Sequence, residues 1–103
     1  MQPIHVKYFL GHWGSWERNH EWLNKQQRIN AKRLFSGLQR LTTEDVQLLA
    51  EKYRPSAEIH LNGNDVQATD ATLAARRGIP ILVYRQQRHE AEHRLAMVMV
   101  NER

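Results

Sequence analysis

The chain contains no cysteine. Disulfides, thiolate catalysis and cysteine-ligated zinc sites are excluded together, and a cytoplasmic setting fits best. No apolar run approaches the roughly 20 residues a membrane-spanning helix needs, so no membrane partner is expected. The opening MQPIHVKYFLGHWGSW has neither a long apolar core nor a small-residue cleavage site, which argues against a signal peptide. Internal repeats and low-complexity tracts are missing too. At 103 residues the expectation is a single domain, 1–103, with a modest core.

One further absence is local. Between Glu21 and Glu44 there is no acid, while Lys25, Arg28, Lys32, Arg33 and Arg40 supply five cations. The whole chain carries a net charge of +4 and a pI near 9.9, which favours a polyanionic partner. A solvated helix face explains such a run equally well.

Residues 1–54 read as an N-terminal arm followed by two helices. Pro3, Ile4, Val6, Tyr8, Phe9, Leu10 and Trp13, with Gly11 and Gly14, suit a short strand or an extended arm over 1–14. Ser15 is a good N-cap, with Glu17 in the first turn. Trp16, His20, Leu23, Gln27, Ala31, Leu34 and Leu38 then follow a helical period, and Phe35 widens the apolar side. Lys25, Arg28 and Lys32 share another face at i, i+3 and i+7, and Gly37 weakens the end of this helix. A Trp at such spacing is more often packing than a base-stacking platform. The clearest helix start follows. Thr42 can cap, Asp45 can reach back as in a capping box, and Leu41 can staple against Val46. Val46, Leu49, Ala50 and Tyr53 form the buried side, and Arg54-Pro55 ends the helix.

Residues 55–69 read as a connecting loop. Asn62-Gly63 between EIHL and NDVQ is a hairpin signal, but only Ile59, Leu61 and Val66 would give that hairpin an apolar side. Residues 70–100 read as a short helix, a tight turn and a longer helix. Asp70 can cap the first, Leu73, Ala74 and Ala75 fill one turn, and Gly78 supplies positive φ just beyond its end. Pro80 suits the first position of the next helix. Ile79, Tyr84, Ala91 and Leu95 then face inward, with Arg85, Gln86 and His89 outward. Two helices joined by such a turn form the helix-turn-helix layout, whose second helix can enter a DNA major groove. The predicted fold is therefore all-α, about four helices, with a short hairpin and an N-terminal arm left open as additions.

The order Asp70, Leu73-Ala74, Gly78-Ile79, Tyr84, Ala91 and Leu95 resembles the promoter-reading C-terminal domain of sigma factors. It is also similar to ArpU/RinA-type regulators of late transcription in phages of Gram-positive bacteria, small chains built around that domain. The run LTTEDVQLLAEKYR, residues 41–54, is similar to the helix that precedes the motif in such proteins. The connection over 55–69 is longer than theirs. The resemblance implies a regulator that binds double-stranded DNA, is not an enzyme and needs no cofactor, with RNA polymerase or another protein as a further partner.

For such a reader, Arg85 or Arg88 can reach guanine O6/N7 and Gln86 can pair with adenine N6/N7, with His89 on the same face. Arg76 and Arg77, at the end of the first motif helix, are placed for phosphate, as are Lys25, Arg28 and Lys32. Ile81 and Leu82 can meet thymine methyls. Ile81-Leu82-Val83 at the tip is nonetheless poor in polar readout and suits a protein interface as well. The apolar run Leu95 to Val100 leaves either packing on the Trp-rich helix or homodimer formation open. A packaging subunit of the small-terminase kind is a further DNA-binding alternative. A minor alternative is zinc hydrolysis, because His89-Glu90-Ala91-Glu92-His93 matches H-E-x-x-H, with His89 and His93 as ligands and Glu90 activating water. A third ligand is wanting, since no histidine follows His93, and the core claims Ala91.

Overall fold

The computed structural model describes residues 5–54, 60–61, 64–65 and 69–101. Its α-helices are α1 (Val6–Gly11), α2 (Trp13–Arg18), α3 (Lys25–Gln39), α4 (Thr43–Tyr53), α5 (Asp70–Arg77) and α6 (Ile81–Asn101). A 3-10 turn, His20–Trp22, separates α2 from α3. The fold is all-α apart from one two-residue antiparallel pair, β1 (His60–Leu61) with β2 (Asn64–Asp65). The predicted Asn62-Gly63 turn, with Ile59 and Val66, lies outside the described residues, as does Pro55.

From Val6 to Arg18 the chain is helical, not an arm or strand; Pro3 and Ile4 lie outside the described residues. Phe9, Leu10, Trp13 and Trp16 are buried at i, i+1, i+4 and i+7 across α1 and α2, which lie against α3, α4 and α6. Burial of this stripe overrides the weak helix propensity of Val6 and the aromatics. The single helix expected from Ser15 to Leu38 is broken. Asn19 Nδ2 donates to the Ser15 carbonyl at 3.1 Å, which helps close α2. A full capping box then opens α3: Gln27 N donates to Asn24 Oδ1 at 2.8 Å, and Asn24 N to Gln27 Oε1 at 2.9 Å. Ser15 therefore sits inside α2, whose N-cap is His12.

Thr42 caps α4 as expected, its hydroxyl accepting from Asp45 N at 3.2 Å. The Asp45 side chain does not reach back. It accepts two 2.7 Å hydrogen bonds from Arg94, pinning α4 to α6, because a bidentate cation outcompetes a single backbone N–H. Leu41 and Val46 are half-buried against the core, in keeping with a staple.

The longest helix, α6, spans roughly 30 Å and is the spine of the fold. It contacts α1, α3, α4 and α5. Tyr84, Ala91, Leu95 and Met99 are its buried stripe, meeting Leu10, Leu34, Leu49 and Leu73 in one core. Gly37 marks where α3 crosses closest. A Cβ there would lie 2.8 Å from Met99 Cγ and 3.0 Å from Leu95 Cδ1. The expected helix-weakening residue is thus a packing requirement. Leu95 and Met99 pack inward while Met97 is exposed, so the apolar C-terminal run buries one face and presents another. No helix among the described residues is long and apolar enough to cross a membrane.

Tyr84 is fully buried, yet its hydroxyl finds no hydrogen-bond partner among the described residues. Burial raises its pKa, the ordinary signature of a desolvated phenol. Tyr84→Phe is therefore expected to leave stability unchanged or to raise it by up to about 1 kcal/mol, read from urea unfolding. A loss larger than that would mean the hydroxyl has a partner.

Candidate functional site

The turn between α5 and α6 is built as the sequence predicts, with two displaced details. Gly78 adopts φ +67°, and its N–H and that of Ile79 return to carbonyls at the end of α5. The N-cap of α5 is Thr69, whose hydroxyl accepts from Thr72 N at 3.2 Å; Asp70 is the first helical residue instead. Pro80 stands one residue outside α6 and its carbonyl accepts from Tyr84 N at 3.0 Å. Its fixed φ and missing N–H suit that flank as well as the first turn.

The outer face of α6 carries Leu82, Arg85, Gln86, His89, His93 and Met97, all exposed. Leu82 is 71% exposed and Val83 39%. Ile81 is half-buried against the core, so the expected three-residue apolar tip is reduced to two. Arg76 is exposed and makes no ion pair among the described residues. Arg77 is engaged, its Nη2 lying 3.0 Å from Glu51 Oε1.

Arg88 is not a surface residue. It is 6% exposed, and its Nη1 donates to Glu92 Oε2 at 2.7 Å. Tyr53 OH donates to the same oxygen at 2.7 Å. The other terminal nitrogen of Arg88 reaches Asp70 at 3.2 Å. At i+4 from Tyr84, Arg88 points along the buried stripe, with its guanidinium 5.7 Å from the Tyr84 ring centroid. Base contact by Arg88 is thereby ruled out without rebuilding the core. Burial works against its charge, but the Glu92 hydrogen bond and the charges of Glu92 and Asp70 outweigh that and raise its pKa. Burial and the Glu92 bond likewise push the Tyr53 hydroxyl far above the ordinary phenol range.

Asp70 is the point where this network reaches the surface. Its carboxylate accepts from Lys52 Nζ at 3.1 Å and from Arg85 Nε at 3.0 Å, besides Arg88. Burial alone would raise its pKa. Hydrogen bonds from Arg85 and Lys52, with the charges of Arg88 and Lys52, overcome that and hold it at about 2. A carboxyl whose folded pKa lies below its unfolded one stabilises the fold fully above the unfolded value. That contribution is lost as pH falls from about 3.8 towards about 2. Acid unfolding of the wild type should therefore steepen in that window, and Asp70→Asn should flatten it.

A second cationic cluster stands on α3. Lys25, Arg28 and Lys32 are exposed on α3 with no ion pair among the described residues, and Trp22 beside them is 83% exposed. Arg33, on the same helix, lies over the Phe9 ring at 5.5 Å. Contact between α3 and α6 is anchored where Gly37 meets Leu95 and Met99. Leu82 is roughly 20 Å along α6 from that crossing. The two clusters stand on different helices, Lys25, Arg28 and Lys32 on α3 and Arg76 and Arg85 on α5 and α6.

His89 and His93 both face outward, one turn apart. Among the described residues no group of three or more His, Asp or Glu gathers to hold a metal. Glu90 accepts from Gln86 Nε2 at 3.3 Å, and Glu92 is committed to Arg88. The zinc-hydrolase alternative thus has two candidate ligands on an open helix face and no third one gathered beside them among the described residues. A polar groove of about 550 Å³ between α4 and α6 holds Glu44, Gln47, Gln87, Glu90 and the Asp45–Arg94 pair, a mixture of charges that selects no ligand class.

Sequence reasoning missed Lys52 and Tyr53 as partners of the motif helices, since these contacts span 18 and 39 residues and no local pattern encodes them. It also missed the Arg88–Glu92 pair, which the i,i+4 spacing could have suggested. Comparison with protein-family models, with curated proteins and with solved structures returns no match to this chain.

Proposed function

We propose that this chain is a cytoplasmic, phage-related transcription regulator that binds duplex DNA through α5 and α6. The observation that supports this best is the Gly78 turn. It leaves Arg85, Gln86 and His89 exposed along the first half of α6, with exposed Arg76, which has no ion pair among the described residues, at the end of the preceding helix. In this reading Arg85 and Gln86 meet base edges, Leu82 meets a thymine methyl, and Arg76 holds phosphate. Lys25, Arg28 and Lys32 supply a separate electrostatic contact. The chain is not an enzyme and needs no cofactor.

A second reading, a protein-docking module, is favoured by the exposed Leu82, Val83 and Met97. RNA polymerase or a second copy of the chain would be the partner. Binding to a mixed pool of duplexes at two salt concentrations separates the readings. A regulator selects a few sequences and loses affinity as salt rises, with selection weakened in Arg85→Ala. Equal, weak binding to every duplex that vanishes with salt would remove the regulator reading. Loss of a protein partner in Leu82→Ser would then support docking.

A further inference from the structure

Resting on the DNA-reading proposal, we infer that Asp70 is a positioning residue that aims Arg85 at a guanine. The geometry has three parts. First, Asp70 is itself held. Its side chain is only 16% exposed, and Lys52 and Arg88 bind it from the interior side of the network. It therefore offers Arg85 a fixed acceptor instead of a mobile surface carboxylate. Second, the bond to Arg85 goes through Nε alone, at 3.0 Å. Neither terminal nitrogen of Arg85 has a hydrogen-bond partner among the described residues. A guanidinium gripped at Nε keeps its outer edge free, and that edge presents the two parallel N–H bonds that match guanine O6 and N7. Third, Arg85 remains 48% exposed on the outer face of α6, so the edge is available.

This arrangement supplies what a lone surface arginine lacks. A free side chain must surrender its rotamers to make a bidentate contact, and it reaches phosphate as easily as a base. Fixing Nε removes part of that cost in advance and sets the plane of the guanidinium. Asp70 carries a second consequence. A carboxylate this close to the groove repels phosphate, which disfavours the sequence-independent use of Arg85. Discrimination at one base pair, rather than overall affinity, is what Asp70 supplies.

The test uses the full chain and duplexes selected by the wild type, varied at every position. The wild type should prefer guanine at one position by about tenfold or more. Arg85→Lys, which lacks the planar fork, should lose that preference. Asp70→Asn should lose it too while binding the poorest duplex at least as tightly as wild type, since its phosphate contacts are intact and one repelling carboxylate is gone. A second readout needs no variant and no DNA: the Arg85 Nε proton should exchange slowly with water in the free wild type. A wild type without any base preference would overturn the DNA reading and this inference together. Base preference retained in a folded Asp70→Asn would overturn only the inference, as would a fast-exchanging Arg85 Nε proton. Uniform weakening of all duplexes by Arg85→Lys would assign Arg85 to phosphate and overturn it as well.

Discussion

Arg88→Met is expected to cost about 3–5 kcal/mol of folding free energy, measured by urea unfolding at neutral pH. The residue is buried, and removing its charge strands Glu92, which is 5% exposed. Among the described residues only the Tyr53 hydroxyl would still bond the Glu92 carboxylate. A buried carboxylate without its cation costs more than either a satisfied pair or an apolar replacement. Replacing both partners, Arg88→Met with Glu92→Leu, should recover most of the loss, because no charge is left to desolvate. Equal losses in the single and double variants would show that side-chain volume, not the ion pair, is what the site requires.

Gly37→Val is the second large effect, an expected loss of about 2–3 kcal/mol. A Cβ at this position meets Met99 Cγ at 2.8 Å and Leu95 Cδ1 at 3.0 Å, closer than carbon atoms pack. Met99 is 1% exposed and cannot swing into solvent, so α3 must move off α6. Alanine is the milder case, because its helix propensity returns up to about 1 kcal/mol. The valine variant should be partly rescued by Met99→Ala, which opens room on the facing helix. A Gly37→Val protein as stable as wild type would mean that α3 does not cross α6 at this point.

Much of the C-terminal half was legible because its signals are local. Thr42 as a cap, Tyr53 as the last buried residue of α4 and Gly78 as the left-handed turn each depend on neighbours a few residues away. The inward stripe Tyr84, Ala91 and Leu95 follows from helical period alone, and all three are fully buried. The N-terminal half misled for two reasons. Aromatic and β-branched residues before Gly11 read as extended, yet Phe9, Leu10 and Trp13 become helical by packing on α3, α4 and α6. The break before α3 also rests on a local signal: Asn24 with Gln27 is as good a box as Thr42 with Asp45. Period alone ran the helix through it.

The candidate site divides the same way. Arg85, Gln86 and His89 were correctly placed outward by period. Arg88 is a candidate for guanine in the sequence reading, yet the structure buries it. Period in fact sets Arg88 beside Tyr84, and what makes burial tolerable is a pair of carboxylates, one on α5 and one a turn further along α6. Asp70 was read as a cap because its type and position fit one, although Thr69 holds that place. Charges whose partners come from other helices cannot be assigned from spacing along one helix.

The most direct test of the DNA reading is a map of amide chemical shifts in the wild type as the best duplex from the pool is added at physiological salt. The account predicts changes concentrated at Arg76, Leu82, Arg85, Gln86 and His89, saturating at a defined stoichiometry. Smaller, salt-sensitive changes are expected around Lys25, Arg28 and Lys32. Changes confined to α3, or none on α6 at saturating duplex, would contradict it and leave the exposed Leu82 and Val83 as a surface for protein.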